Sequence, residues 1–200
     1  MGKFFEKIRP IAAFIGLGLL GLHLILLLVY MIGSGVNALS IVGWIVELLL
    51  VGTLAFAFFA KKDDLLKAVL VLLLAYFAVG VVLSGLNGLS FLGGDGGMVF
   101  TILAMVSAVA ALALFLLRLA VPSVFDKPLF KLIILALVAS IVVFGLIGSI
   151  FVFAECGKEF AEAKEYGYDV KVWPWVIYTI DYCIVLPTAF LFCVLVYEGH

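Results

Sequence analysis

Charge is scarce in this chain. Lys, Arg, Asp and Glu together make up 12% of its 200 residues, while 67% are hydrophobic and the mean hydropathy is +1.39. A water-soluble globule cannot cover its surface with so few polar groups, so most of the chain must face lipid or other apolar helices. The net charge of −1 supplies no basic field, and no basic stripe with interleaved aromatics occurs, so nucleic acid is not an expected partner.

Reactive side chains are equally sparse. Cys156, Cys183 and Cys193 show neither CxxC nor Cys–His spacing, which excludes a zinc motif and a disulfide framework. The only histidines are His23 and His200, so no second membrane histidine is present to pair with His23 around a haem. HExxH, Walker and GxSG-with-histidine patterns are all missing. Gly16–Gly21 reads GLGLLG, a formal GxGxxG, but it follows no strand and lies in an apolar run, where it reads as a packing face. The expectation is a protein without metal or cofactor, more readily non-enzymatic than enzymatic, although Glu47 and Asp181 keep an enzyme open.

What the chain has in quantity is long apolar runs. About 20 residues cross a bilayer as a helix, and six stretches qualify: 11–32, 39–60, 65–86, 98–121, 129–154 and 174–197. The fold class is therefore an all-α integral membrane protein, one polytopic domain over residues 1–200 built as a six-transmembrane-helix bundle. The first run is too long for the apolar region of a signal peptide and no A-x-A site follows it, so it reads as a retained span. Glu6 stands where a myristoylation motif wants Ser or Thr.

Lys3, Lys7, Arg9, Lys61, Lys62, Lys67, Arg118, Lys127 and Lys131 all fall at one end of the bundle, and only Lys158, Lys164 and Lys171 at the other. By the positive-inside rule both termini are cytoplasmic, in a plasma or inner membrane, and the segment 155–173 is external. Glu155, Lys158, Glu159 and Glu162 suggest a helix there that Gly167 could end. Trp173, Trp175 and Tyr178 around Pro174 read as an interfacial aromatic belt. Pro187 is expected to kink the last span.

One short stretch occurs twice. SGVNALSIVG at 34–43 and SGLNGLSFLG at 84–93 match at six of ten positions on inspection of the sequence. In each, Gly35 or Gly85 suits a helix end and Ser40 or Ser90 the cap of the next helix. Both would join spans on the outer face, and the match favours duplication of a helical hairpin over convergent turn chemistry.

Three ionisable residues lie deep inside spans, away from their ends: His23, Glu47 and Asp181. Such groups are costly in lipid and mark candidate sites. Counting at about 1.5 Å per residue puts all three roughly 10–14 Å below the outer boundary. Tyr76 and Ser107 fall at similar depth, and Gly145 and Gly148 offer close approach there. The expected site is thus a polar cluster of His23, Glu47, Tyr76, Ser107 and Asp181 that binds a proton, a cation or a small solute. The structural alternatives are a hydrogen bond from His23 to a backbone carbonyl of a neighbouring helix, a protonated Glu47 as interhelical glue, and a hydrated position near the headgroups for Asp181.

Six spans in about 200 residues, with an Ala- and Gly-bearing first helix, are loosely similar to the substrate-binding subunits of energy-coupling-factor transporters in size and span count. The leading function is transport or binding of a small solute or cation. The alternative is a non-catalytic accessory or scaffold subunit, with a partner membrane protein or a second copy in the bilayer.

Overall fold

The computed structural model describes residues 2–89, 96–125, 127–168 and 171–198, and every regular element among them is helical. In order these are α1 (Gly2–Ser34), α2 (Ala38–Phe59), α3 (Asp63–Leu89), α4 (Gly96–Ala120), the single turn α5 (Pro122–Phe125), α6 (Pro128–Glu165), α7 (Trp173–Ile180) and α8 (Leu186–Glu198). A π-helical turn, Asp181–Val185, joins α7 to α8 without a break, so the last three segments form one rod. Six helical runs are long and apolar enough to cross a membrane: Arg9–Ser34, Ser40–Phe59, Asp63–Leu83, Gly97–Ala120, Pro128–Glu165 and Trp173–Tyr197. The chain is a multi-pass helical membrane protein.

The last rod is the most enclosed of the six, with 56% of its apolar window buried against 22–39% for the others. It packs on α1 and α6 and also touches α3. The remaining contacts run from α6 to α4, α4 to α3, α3 to α2 and α2 back to α1, so the other spans form an arc around it. Leu20, Leu54, Leu73, Phe77, Ile134 and Phe190 fill the centre, with Phe77 and Phe190 stacked at 4.5 Å and 17°. Lipid tails are as apolar as these side chains, so the association rests on close packing rather than on water exclusion.

Small residues set the closest approaches. A Cβ on Gly16 would meet the Cβ of Phe192 at 3.2 Å and Sγ of Cys193 at 3.3 Å, so α1 lies nearly backbone to backbone on α8. Ala12 and Ala13 continue this contact, both buried. Gly18 and Gly21, the other glycines of GLGLLG, meet nothing within 4 Å. Ala104 and Ala108 are buried on α4.

The two copies of the repeated stretch adopt different backbones. After Ser34, Gly35 has φ +101 and its N–H donates to the Met31 carbonyl. Asn37, not Ser40, caps α2: its side chain accepts from Ser40 N at 2.8 Å. The amide of Asn37 reaches its third residue onward as a cap should, whereas Ser40 already lies within the helix. In the second copy α3 continues helical through Gly85 to Leu89, so Gly85 ends nothing; Ser90 lies outside the described residues. The contrast is testable by thermal unfolding in detergent. Gly35→Ala is expected to cost about 1–2 kcal/mol for a Cβ in the left-handed region. Gly85→Ala, in a helix interior, is expected to gain about 0.5–1 kcal/mol. Equal effects would mean that the two copies share one conformation.

The fifth span is longer than the apolar run alone gives. α6 continues unbroken through 155–165, and its 38 residues measure about 57 Å at the usual rise, nearly twice the roughly 30 Å of hydrocarbon. Its charged end carries a Lys158–Glu155 pair at 2.7 Å. It closes as the sequence leads one to expect, with Gly167 at φ +81. Tyr168 N–H donates to the Ala163 carbonyl and Gly167 N–H to Lys164, the paired bonds of a Schellman motif.

Candidate functional site

α1 and α2 make a hairpin with only Gly35–Asn37 between them, so residues equally far from the turn face each other. His23 lies eleven residues before the end of α1 and Glu47 nine after the start of α2, about 14–16 Å from that turn. His23 Nε2 meets Glu47 Oε1 at 2.7 Å. One turn along, the Trp44 indole N–H donates to the Leu24 carbonyl at 2.9 Å and fixes the crossing. The rod starts at Trp173 beside the top of α1: a Cβ on Gly33 would come within 2.6 Å of Trp173 Cζ2 and 2.8 Å of Pro174 Cγ. Eight residues down the rod is Asp181, whose Oδ2 meets His23 Nδ1 at 2.8 Å.

The three residues expected from depth alone thus come together, with His23 bridging two carboxylates. They close on each other rather than around a cavity. Exposures of 0% for His23, 1% for Glu47 and 1% for Asp181 make this a fully buried cluster, so the headgroup-hydrated position open to Asp181 in the sequence is not the one it takes. A cleft elsewhere in the bundle is lined by Ala13, Leu17, Leu54, Phe58, Leu66, Leu70, Cys193 and Val196, all apolar.

Asp181 opens the π-helical turn. Pro187 has no N–H for the Cys183 carbonyl four residues back, which breaks the α ladder at this point. Leu186 N–H instead donates to the Asp181 carbonyl, an i to i+5 bond. The expected kink is therefore a π turn. Gly145 of α6 faces it: a Cβ there would lie 3.8 Å from the Cys183 carbonyl.

Tyr76 and Ser107 do not join the hydrogen-bonded trio. Tyr76 is 38% exposed on α3, although its phenol lies within electrostatic range of Glu47 and Tyr178. Ser107 is buried on α4, which packs chiefly on α3 and α6, away from α1. Depth alone does not bring them in: α4 packs on α3 and α6 rather than on α1, and Tyr76 is half-exposed beside the cluster without a hydrogen bond to it. One residue outside the expected set, Tyr182, touches the site, and two more tyrosines extend from it. Tyr182 sits edge-to-face on His23 at 5.9 Å and lies tilted against Tyr178 at 4.4 Å, and Tyr178 in turn meets Tyr30 at 5.0 Å. Their signal was available as spacing: Tyr30 is seven residues from His23 and Tyr182 four from Tyr178, each on one helix face.

The two hydrogen bonds set the fewest protons that the cluster can hold. Each of its two N···O contacts needs one proton. If His23 is imidazolium, both carboxylates are ionised; if it is neutral, one carboxyl must be protonated to donate to it. Either way the cluster with only those two protons sums to −1. No Lys or Arg lies in α2, after Arg9 in α1, after Lys67 in α3 or in the rod to compensate. Two carboxyl oxygens, Glu47 Oε2 and Asp181 Oδ1, are buried with no hydrogen-bond partner among the described residues. Both histidine nitrogens are engaged, and no set of three or more His, Cys, Asp or Glu among the described residues is arranged to hold a metal ion. What the arrangement can accept is one more positive charge on a free carboxyl oxygen.

Comparison with protein-family models, curated proteins and solved structures finds no match. The likeness to energy-coupling-factor subunits stays one of size and span count.

Proposed function

We propose that this chain is a small transport or ion-binding membrane protein whose His23–Glu47–Asp181 cluster takes up one monovalent cation, and that the cation is a proton. The observation that carries this reading is the pair of buried, unpartnered carboxyl oxygens on a cluster whose two hydrogen bonds need only two protons, a state of charge −1. An uncompensated charge among apolar helices costs several kcal/mol, and a third proton makes the cluster neutral at no change in packing. The direct 2.7 and 2.8 Å contacts of His23 with the two carboxyl groups, all three residues being 0–1% exposed, favour a proton over a larger solute. The Lys and Arg distribution supports cytoplasmic termini in a plasma or inner membrane, which puts the cluster in the outer half of the bundle. The repeated stretch supports an origin in a duplicated hairpin.

The test is proton flux into dye-loaded proteoliposomes under an imposed potassium diffusion potential, with sodium-gradient vesicles in parallel. Wild type is expected to carry protons, and Glu47→Gln and Asp181→Asn to lose at least tenfold of that flux while still folding. Unchanged flux in Asp181→Asn sinks the proposal, as does sodium flux without proton flux.

A second reading, an accessory subunit without transport of its own, draws on Gly18, Gly21, Gly43 and Gly52. All four open outward on α1 and α2 with nothing within 4 Å, the small-residue seam that another membrane helix packs against. It predicts a wild type with no flux, and crosslinking to another membrane chain through cysteines placed at positions 18 and 52.

A further inference from the structure

The turn between α2 and α3 stands at the membrane boundary, since one span ends at Phe59 and the next begins at Asp63. Lys61 makes the turn with φ +53, the one positive φ outside glycine among the described residues. Its N–H donates to the Phe58 carbonyl and that of Lys62 to the Ala57 carbonyl, the bond pair of a Schellman motif. Where α1 and α6 end, Gly35 and Gly167 take the left-handed position. A Cβ is disfavoured there, so glycine would hold this turn better than lysine. Strain kept in this way points to a use for the side chain. The same turn closes one end of the apolar cleft. Phe58 and Leu66 both line it, and Leu66 N–H donates to the Lys62 carbonyl at 2.9 Å. The lining continues to Leu54 and Leu70, about 6 Å deeper. On α1, Arg9, Ala13 and Leu17 follow at four-residue spacing on one face, with Arg9 at the boundary end. Around the mouth Arg9, Lys61, Lys62 and Lys67 outnumber Asp63 and Asp64, and Lys61 and Lys62 are exposed.

The geometry points to this cleft as the binding site of one anionic phospholipid, with its phosphate on Lys61 and Lys62 and the start of an acyl chain between α1, α2, α3 and α8. The inference is independent of the proton-binding reading above. A phospholipid carries the two chemistries in the order the cleft offers them, an anion at the boundary and hydrocarbon directly beneath it. Basic side chains beside a membrane attract anionic headgroups over a range of about one Debye length. The excess of basic over acidic groups at the mouth selects a headgroup of net negative charge over a zwitterionic one. A small anion without chains has nothing to set against the apolar lining. A second copy of this chain would bring the same basic excess to the same end and be repelled there.

The experiment is native mass spectrometry of the full-length protein released from a non-ionic detergent. Bound molecules are counted during titration with dioctanoyl phosphatidylglycerol, dioctanoyl phosphatidylcholine and the deacylated headgroup glycerophosphoglycerol. The wild type is expected to hold one phosphatidylglycerol at least tenfold more tightly than either of the other two. Lys61→Gly with Lys62→Gln is expected to lose at least tenfold of that affinity, yet to melt at or above wild type without lipid, because glycine suits the left-handed turn. Lys127→Gln with Lys131→Gln removes the same charge at the start of α6, which lines no part of the cleft, and is expected to change the affinity less than twofold. Equal losses in the two paired variants overturn the site, since they mark attraction to overall charge. Equal affinity for the deacylated headgroup overturns the lipid in favour of a bare phosphate, and equal affinity for the two lipids overturns the role of the lysines. A Lys61→Gly, Lys62→Gln variant that melts below wild type with its affinity unchanged makes Lys61 a structural residue and also overturns the proposal.

Discussion

Replacing His23 alone with leucine is expected to destabilise this protein by roughly 3–5 kcal/mol, whereas replacing the whole cluster, His23→Leu with Glu47→Met and Asp181→Leu, is expected to leave it as stable as wild type or more so. The two outcomes differ because of what is left behind. The single change strands Glu47 and Asp181 with both oxygens of each unpartnered, in a place 0–1% exposed, and an unpaired buried polar group forfeits its full desolvation cost. The triple change removes both the hydrogen bonds and the need for them. Leucine and methionine fill similar volumes and pack against Leu20, Leu24 and the apolar wall around them. Thermal unfolding in one detergent, read by loss of the monomer peak, checks both. If the triple variant loses as much as the single one, pairing of charge contributes stability that apolar packing cannot replace, and the cluster is explained as a structural pin. If it recovers, stability does not explain why the chain spends three of its few ionisable residues here, and proton binding does. A recovered triple variant that no longer carries protons would separate the two roles in one molecule.

The trio was legible in the sequence because burial of an ionisable group in an apolar run is rare enough to be read residue by residue, and helix rise converts position into depth. Depth is half of a position. Ser107 passes the same count as His23 but lies elsewhere, because α4 packs chiefly on α3 and α6 rather than on α1. In the rod even a correct helical period misleads: the π turn at Asp181–Val185 inserts an extra residue, rotating everything before it by about 100° relative to a regular helix. Pro187 announced a disturbance but not its kind. The paired SG-x-N-x-LS stretches show the opposite failure. Their local chemistry is nearly the same, yet Gly35 leaves the helix and Gly85 stays in one. Ten residues do not set a helix end when the surrounding helix packs past them. Tyr178 was visible as an aromatic near an interface, which hid its second relation, four residues from Tyr182 on the face that meets α1.

The close approaches that hold this bundle together can be tested with one substitution at two places on α6. Gly148→Leu is expected to be about 3 kcal/mol less stable than Gly157→Leu. Intrinsic preference is the same at both sites, since leucine is a better helix former than glycine by roughly 0.8–1 kcal/mol. The surroundings are not. At Gly148 a Cβ would meet Thr101 Oγ1 at 3.0 Å, Thr101 N at 3.4 Å and Thr101 Cα at 3.7 Å, and two of those three are backbone atoms. Thr101 cannot swing clear, because its hydroxyl is held on the Gly97 carbonyl at 3.0 Å. α4 must move away from α6 as a body, giving up the stacked pair Phe100–Phe151 one turn away. At Gly157 nothing lies within 4 Å, so the larger side chain meets no neighbour and the helix preference stands alone. Melting curves of the two variants in the same detergent decide it. Coincident curves would mean that α4 and α6 are not in close contact at Gly148, and the support that α6 gives to the π turn through Gly145, one turn away, would fall with it. Separated curves, with Gly157→Leu at or above wild type, place the cost at the helix contact rather than in α6 itself.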